Sequence, residues 1–187
     1  MMSKLINSFL IFTLTTIPQI TEAQSLVSLN QTKQLTEQSK LAINGIGPIR
    51  VGMTIKQASQ SSGLKLIQVS SGGEDYGCFY FKPQNNPKGV SFMVTDERIS
   101  RVDIDNPRIT TISGAKIGDS EKRIKSLYAG QIQVTPHEYI INGHYLTYVP
   151  RDSKDRNYRV VFESNGSIIT EIRAGKLPEV LYVEGCV

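Results

Sequence analysis

Serine and histidine are the residues of this chain with which a hydrolase would act. Ser120 follows Gly118 and Asp119 in a turn-like segment, and some hydrolases carry a nucleophilic serine in such a turn. Thr54 stands at the matching position after Gly52, and Ser or Thr before a helix is typical of an N-cap. No Gly-x-Ser-x-Gly elbow occurs in the chain. The sequence therefore favours a capping role for Ser120 over a nucleophile and predicts no catalytic residue.

The two histidines, His137 and His144, could share a metal ion or form an acid–base pair only if they lie close together. If Asn142 and Gly143 form a two-residue turn, the flanking strands place both histidines on one face, roughly 13 Å apart along the strands. That separation exceeds the span of two ligands on one zinc ion, whose bonds are about 2 Å each. We therefore predict no metal site and no cofactor, and a structural or surface role for both histidines.

Residues 1–23 have the organisation of a secretory signal peptide. Lys4 supplies a positive charge, residues 9–17 form a short apolar run, and the run is followed by a small-residue cleavage site that ends at Ala23. The apolar run is shorter than the about 20 residues that cross a bilayer, so no membrane span is predicted. No cysteine directly follows the cleavage site to carry a lipid anchor. The sequence predicts a periplasmic or secreted protein.

Composition divides the rest of the chain into a leader and a domain. Residues 24–42 are rich in Gln, Ser, Thr and Asn without a sustained period, which is typical of a flexible leader. Residues 43–187 are long enough for a single domain with its own core. The formal net charge is +4, but the basic residues are dispersed along the chain. Nucleic acid is therefore not a predicted partner.

The chain has two cysteines, Cys78 and Cys186. An even number of cysteines in an exported protein favours a disulfide, and two separate buried thiols are the alternative. A cysteine one residue from the terminus is hard to bury without a bridge. The predicted disulfide ties the C-terminal tail, residues 175–187, back to the first half of the chain.

The elements that must position these residues occur twice along the chain. The matching segments are residues 44–105 and 110–174, and each contains a glycine, a second residue and then Thr or Ser, at positions 52–54 and 118–120. A helix-length stretch ending at Gly63 or Gly130 follows, and then several strand-like runs. The extra residues of the second copy fall in the polar segment 151–157, where a loop tolerates added length. A tandem duplication is favoured over two independently similar stretches.

The order of elements in each half predicts the fold class. Thr54 and Gln57 have the spacing of a capping box, and residues 164–167 contain an Asn-Gly pair of the kind that forms a type I′ hairpin turn. A helix followed by hairpin-connected strands, twice over, indicates an α+β fold. We predict one domain of two tandem repeats, each a short helix plus antiparallel strands, with the helices on one face of the sheet.

Strand alternation sorts the aromatic residues into two faces. It assigns Phe81 and Leu146 to the core under the helices, and Tyr80 and Tyr145 to the opposite face, where Glu138 joins them from the neighbouring strand. One face of such a sheet is left to solvent, and exposed tyrosines are typical anchors of an interface. Tyr80, Tyr145 and Glu138 are therefore the predicted binding residues. The alternative is that the C-terminal tail covers this face.

Several segments resemble known families. The Gly-Met-Thr and Gly-Asp-Ser openings, the run at 143–147 and the tail at 177–186 look like a group of uncharacterised exported bacterial proteins with tandem α+β repeats. At fold level, the opening before an antiparallel sheet is similar to the small outer-membrane assembly lipoproteins and to tandem-repeat β-lactamase-inhibitor proteins. These families imply binding rather than catalysis. The chain lacks the lipid-anchor cysteine of the former, and has one possible disulfide and no tryptophan, unlike the latter.

Together these features predict an exported, non-enzymatic binding or inhibitor-type protein that acts through an open sheet face. Its expected partner is a protein or a component of the cell envelope. An envelope scaffold or assembly factor is one alternative, and an enzyme of unrecognised type is another.

Overall fold

The computed structural model describes residues 34–71 and 77–186. The predicted signal peptide and residues 24–33 of the predicted leader lie outside the described residues. Leu35 and Leu41 are 1% and 2% exposed and belong to the hydrophobic core. The packed domain therefore begins earlier than residue 43. Isolated leucines among polar residues give no periodic pattern, which is why the sequence placed this segment in the leader.

A small sheet and a helix come first in the described chain. Three two-residue strands form an antiparallel sheet in the order β1 (Leu41–Ala42), β2 (Gly45–Ile46) and β3 (Ile49–Arg50). Helix α1 (Ile55–Ser62) follows. Thr54 caps it in a complete capping box, because its hydroxyl accepts from the Gln57 N–H at 3.2 Å and its own N–H donates to the Gln57 side chain at 2.9 Å. Gly63 ends the helix with a φ of 67°, a left-handed conformation that suits glycine.

An eight-stranded antiparallel sheet forms the body of the molecule. Its strands are β4 (Leu66–Ser71), β5 (Cys78–Pro83), β6 (Val90–Thr95), β7 (Arg98–Ile104), β8 (Ile132–Pro136), β9 (His144–Tyr148), β10 (Tyr158–Ser164) and β11 (Ile169–Lys176). The spatial order is β4-β5-β6-β7-β11-β10-β9-β8. Each group of four strands is thus a meander, and the two meanders meet where β7 pairs with β11. The predicted α+β class with antiparallel strands is confirmed.

The second helix, α2 (Glu121–Leu127), lies between the two meanders in sequence. The Ser120 hydroxyl accepts a hydrogen bond from the Arg123 N–H at 3.3 Å, so this serine is an N-cap. Short 3₁₀ turns occupy Ser153–Asp155 and Glu179–Leu181. In the two stretches that the structure describes, no helix has the length and apolar character needed to cross a membrane.

One face of the large sheet carries the main core. Ala58 of α1 and Ile124 of α2 are both fully buried and belong to the same cluster as Phe92 and Phe162 of the central strands. Tyr128 packs there too, with its ring centroid 5.4 Å from that of Phe162. Both helices therefore cover the same face, and the opposite face is left for polar side chains and the C-terminal tail.

The Asn-Gly pairs do not form the turns that the sequence predicts. Strand β8 ends at Pro136, which pairs with His144, so residues 137–143 are a loop rather than the end of a strand. Residues 165–168 join β10 to β11, and the Asn165 side chain accepts from the backbone N–H groups of Ser167 and Ile168 at 3.0 and 3.1 Å. This asparagine therefore stabilises the turn through its side chain.

The turn with two left-handed residues lies elsewhere. Asp96 and Glu97, the two residues between β6 and β7, have φ angles of 50° and 61°. Two positive φ angles in a two-residue hairpin are the type I′ arrangement. The dipeptide Asp-Glu is a weak sequence signal for such a turn, because neither residue is glycine.

Candidate functional site

Arg101, on β7, holds the C-terminal tail against the sheet face opposite the helices. The residue is 3% exposed, and its Nε lies 2.7 Å from the Asp103 carboxylate. Its Nη1 donates to the backbone carbonyls of Glu179 and Tyr182 at 3.1 and 2.7 Å, and its Nη2 donates to the Tyr80 hydroxyl at 2.8 Å. One buried guanidinium therefore joins β7 and β5, the two strands on either side of β6, to two points of the tail.

Arg173, on the neighbouring strand β11, holds the same tail from the other side. It is also 3% exposed. Its Nε donates to the Val180 carbonyl at 3.1 Å, and its Nη1 donates to the Glu163 carboxylate at 3.0 Å. The guanidinium lies 5.3 Å from the centre of the Tyr145 ring, a cation–π distance. Together the two arginines bind three backbone carbonyls of the tail. Those of Glu179 and Val180 lie in the 3₁₀ turn, and that of Tyr182 directly follows it.

His137 shapes the loop 137–143. Its Nδ1 accepts the backbone N–H groups of Tyr139 and Ile140 at 3.0 and 3.1 Å. The proton of the neutral ring therefore lies on Nε2, which is 2.8 Å from the Glu163 carboxylate. The ring stacks on Tyr145 with centroids 4.5 Å apart. Because Glu163 also accepts from Arg173, a continuous set of contacts joins this loop to the tail.

The disulfide between Cys78 and Cys186 anchors the end of the tail to β5. It brings Gly185 so close to Tyr80 that a Cβ on this glycine would lie 2.8 Å from the tyrosine hydroxyl. Gly185 also has a φ of 73°, so a larger residue would be strained there as well as crowded. The predicted cysteine pair is present, and it fixes the tail over the first strands of the sheet.

A groove runs between the tail, the loop 137–143 and the β6–β7 turn. We call it the tail groove, and its volume is about 690 Å³. Its lining residues are Cys78, Thr95, Asp96, Glu138, Tyr139, Glu179 and residues 182–186. Tyr139 and Tyr182 are 65% and 42% exposed, so aromatic surface is open to solvent at this groove.

Glu179 fixes the inner side of the tail groove. It is 6% exposed. Its Oε1 accepts from the Thr95 hydroxyl at 2.8 Å and lies 3.0 Å from the Lys176 ammonium. Burial acts to raise its pKa, but hydrogen bonds from its own backbone, Thr95 and Lys176 outweigh burial and lower the pKa below the usual value. Glu179 is therefore ionised at neutral pH.

Burial is the largest cause of the shifted pKa values on the sheet face beneath the tail. Burial and the nearby carboxylates of Asp103 and Glu163 raise the pKa of Glu171 to about 7. Burial also raises the pKa of Asp103, although the Arg101 charge acts to lower it. Tyr80 has a raised pKa for the same reason, with the Asp103 charge adding to the effect. These groups lie beneath or beside the tail, and their charge state bears on how firmly it is held.

The three residues that the sequence predicts as binding residues differ in their exposure to solvent. Tyr145 is 7% exposed and packs with Val161 and Val180 under the tail. Tyr80 is partly buried, and its hydroxyl is bonded to Arg101. Only Glu138 is exposed, and it lines the tail groove. The sequence did not indicate Tyr139 or Tyr182, since an aromatic residue in a loop carries no periodic signal.

The histidines are engaged separately. His144 Nδ1 lies 2.8 Å from the Glu121 carboxylate, which also accepts from the Ser164 hydroxyl at 2.8 Å. His137 is bonded to Glu163 instead, so each histidine has a carboxylate partner, which no sequence pattern indicates. Within residues 34–71 and 77–186, no three His, Cys, Asp or Glu side chains are grouped so as to hold a metal ion.

The fold and the tail groove define an α+β domain with a concave surface bounded by its own C-terminal tail. No protein-family model matches the chain, and no curated protein matches it significantly. Among solved structures, the chain is similar to the uncharacterized protein YfeY from Escherichia coli, with 14% sequence identity and a TM-score of 0.49. The similarity covers 73% of this chain and 99% of that chain. No activity or partner follows from it.

Proposed function

We propose that this protein is a non-enzymatic binding protein and that the tail groove is its binding surface. The observation that carries the proposal is a concave surface of about 690 Å³ with two exposed tyrosines. Ligand sites in proteins commonly have volumes of about 300–1,000 Å³, and tyrosine is enriched at interfaces. Tyr139 and Tyr182 therefore replace Tyr80 and Tyr145 as the aromatic binding residues, while Glu138 is retained.

The walls of the groove are held in place before any ligand binds. The disulfide fixes one end of the tail, Arg101 and Arg173 hold its carbonyls, and His137 holds the facing loop. A surface that is already ordered loses less conformational entropy on binding. This rigidity supports a binding role for the groove.

The contacts of the hydroxyl and imidazole groups favour binding over catalysis. The Ser120 hydroxyl accepts from the backbone of α2, and the Ser164 hydroxyl donates to a carboxylate rather than to an imidazole. A nucleophilic serine needs a base that takes its proton. Neither serine is bonded to a histidine in the part of the chain that the structure describes.

We also infer that the protein is exported to an oxidising compartment, periplasmic or extracellular. The disulfide supports this inference, because such bonds persist where thiols are not kept reduced. The signal-like organisation of residues 1–23 supports it independently.

The two halves are, we infer, tandem copies of one unit. The Gly52 N–H donates to the Ile99 carbonyl at 2.8 Å, and the Gly118 N–H donates to the Ile169 carbonyl at 2.9 Å. The two glycines have φ angles of 91° and 88°. Equivalent hydrogen bonds at equivalent turns, each ahead of a four-strand meander, support a duplication. The tail groove has no counterpart in the repeat pattern, because the tail follows the second copy only.

Affinity capture from an envelope extract of the source organism tests the binding role. The oxidised protein is compared with the Tyr139→Ala and Tyr182→Ala double variant, and with Ile112→Ala as a control for loss of an exposed apolar side chain. Ile112 is 72% exposed and does not line the groove. We expect the wild type and the control to retain the same bound component and the double variant to lose it. Equal capture by all three proteins would place the binding surface elsewhere.

A further inference from the structure

The charge of the tail groove is opposite to that of the protein as a whole. The chain carries a formal net charge of +4. Four carboxylates nevertheless line the groove, from Asp96, Glu138, Glu179 and Glu184. No Lys, Arg or His is among the lining residues that the structure describes. Glu179 is paired with Lys176, so the groove offers a cation the three carboxylates of Asp96, Glu138 and Glu184.

The buried carboxylate of Glu179 adds a second, independent observation. Its Oε1 is bonded to Thr95 and Lys176. Its Oε2 is buried and has no hydrogen-bond donor within reach in the described part of the chain. A buried carboxylate oxygen without a donor is costly, and a positive charge placed in the groove would reduce that cost.

The aromatic side chains indicate what kind of cation fits. Tyr139 and Tyr182 present exposed rings beside the acidic groups, and tyrosine faces attract ammonium and guanidinium ions. Val183, 37% exposed, adds an apolar surface for an aliphatic stem. A bare metal ion is disfavoured, because no three acidic side chains of the described residues converge on one point.

The geometry points to an organic cation as the ligand of the tail groove: an ammonium group on a flexible aliphatic stem, as in a lysine side chain or a free diamine. The inference rests on the proposed binding role of the groove and adds the chemistry of the ligand. The ammonium is held by the carboxylates, and the stem lies against the tyrosine rings.

Isothermal titration calorimetry on the oxidised, full-length mature protein tests this chemistry. Three probes are compared: a blocked peptide with two lysines, the same peptide with both lysines acetylated, and 1,5-diaminopentane. Acetylation removes the charge and keeps the stem, so we expect binding of the acetylated peptide to be at least about tenfold weaker. Affinity for the charged probes should fall as ionic strength rises. Tighter binding of the peptide than of the diamine identifies a protein source, and the reverse order identifies a free amine.

Matched variants locate the site. Glu138→Gln with Glu184→Gln removes two groove charges from exposed positions, and Asp105→Asn with Asp152→Asn removes two exposed charges that do not line the groove. Each exposed ion pair is worth about 1.4-fold to fivefold in affinity, so the groove variant should bind the lysine peptide about twofold to 25-fold more weakly. The control should bind as the wild type does.

Three results would overturn the inference: equal binding of the acetylated and unmodified peptides, no binding of either charged probe, or equal weakening by both double variants. None of them bears on whether the Tyr139 and Tyr182 variant loses its captured component from the envelope extract. Failure of the ligand chemistry is therefore distinguishable from failure of the binding role.

Discussion

Glu171→Gln provides the sharpest test of the electrostatics beneath the tail. Glu171 lies directly across from Glu163 in the β10–β11 ladder, on the same strand face as Arg173. Burial and the charges of Asp103 and Glu163 raise the pKa of Glu171 from 4.5 to about 7. The folded protein therefore binds this proton more tightly than the unfolded chain does.

The direction of the pH dependence follows from that difference. Below pH 4.5 the carboxyl is protonated in both states, and its stabilising contribution is fully present. As the pH rises toward 7, the unfolded chain loses its proton while the folded protein retains it, so the free energy of unfolding falls. The contribution is lost once the pH exceeds the folded pKa of about 7.

The magnitude follows from the same values. The rise in pKa from 4.5 to about 7 corresponds to about 3 kcal/mol, since one pKa unit is about 1.4 kcal/mol. Glutamine is nearly isosteric and stays neutral, so Glu171→Gln removes this pH dependence. The variant should gain about 3 kcal/mol relative to wild type between pH 4 and pH 8.

Urea unfolding at a series of pH values between 4 and 8 measures this difference. Glu97→Gln serves as the control because Glu97 is exposed and loses the same charge. This control measures how much of the pH dependence comes from the loss of an exposed negative charge alone. If the curves of wild type and Glu171→Gln run parallel, the carboxyl does not titrate as the structure implies.

Three further substitutions test the tail and the helix caps. Replacing Cys78 and Cys186 by serine should lower the free energy of unfolding by about 4 to 5 kcal/mol, because the bridge closes a loop of 108 residues in separation; a loss below about 1 kcal/mol by denaturant titration would contradict this. Arg101→Met should cost about 3 to 5 kcal/mol by the same method, since it leaves Asp103 buried without its cation, whereas a neutral result would mean that water replaces the guanidinium. Thr54→Ala should cost about 1 kcal/mol in thermal unfolding through loss of the capping box, and an unchanged midpoint would show that the cap contributes nothing.

Local sequence signals predicted the helix caps, although the two Asn-Gly pairs did not form the turns expected of them. The Thr54 and Ser120 caps are specified by residues within one helical turn. The Cys78–Cys186 bridge was predictable because the chain offers only one pair of cysteines. The α+β class followed from the order of helix and strand signals. The caps depend on residues that are close in sequence, and two cysteines allow only one pairing.

The candidate site was predictable only in part, because distant residues decide it. Residues 137–141 alternate like a strand, yet His137 accepts two backbone N–H groups and ends the ladder at Pro136. Alternation placed Tyr145 on the face away from the helices, but its burial depends on a tail that Arg101 and Arg173 hold from two separate strands. No single-segment pattern contains that information.

The same contacts determine both the shape and the charge of the tail groove. Arg101 and Arg173 lie beneath the tail, where their guanidinium groups bind its carbonyls and the carboxylates of Asp103 and Glu163 on the sheet. The acidic side chains of Glu179 and Glu184 then line the groove without a neighbouring arginine among its lining residues. Because the cations that fix the tail are buried under it, any change that loosens the tail would also expose positive charge beside the groove. If the groove binds a cation as proposed, loosening the tail should therefore abolish that binding together with the shape of the groove.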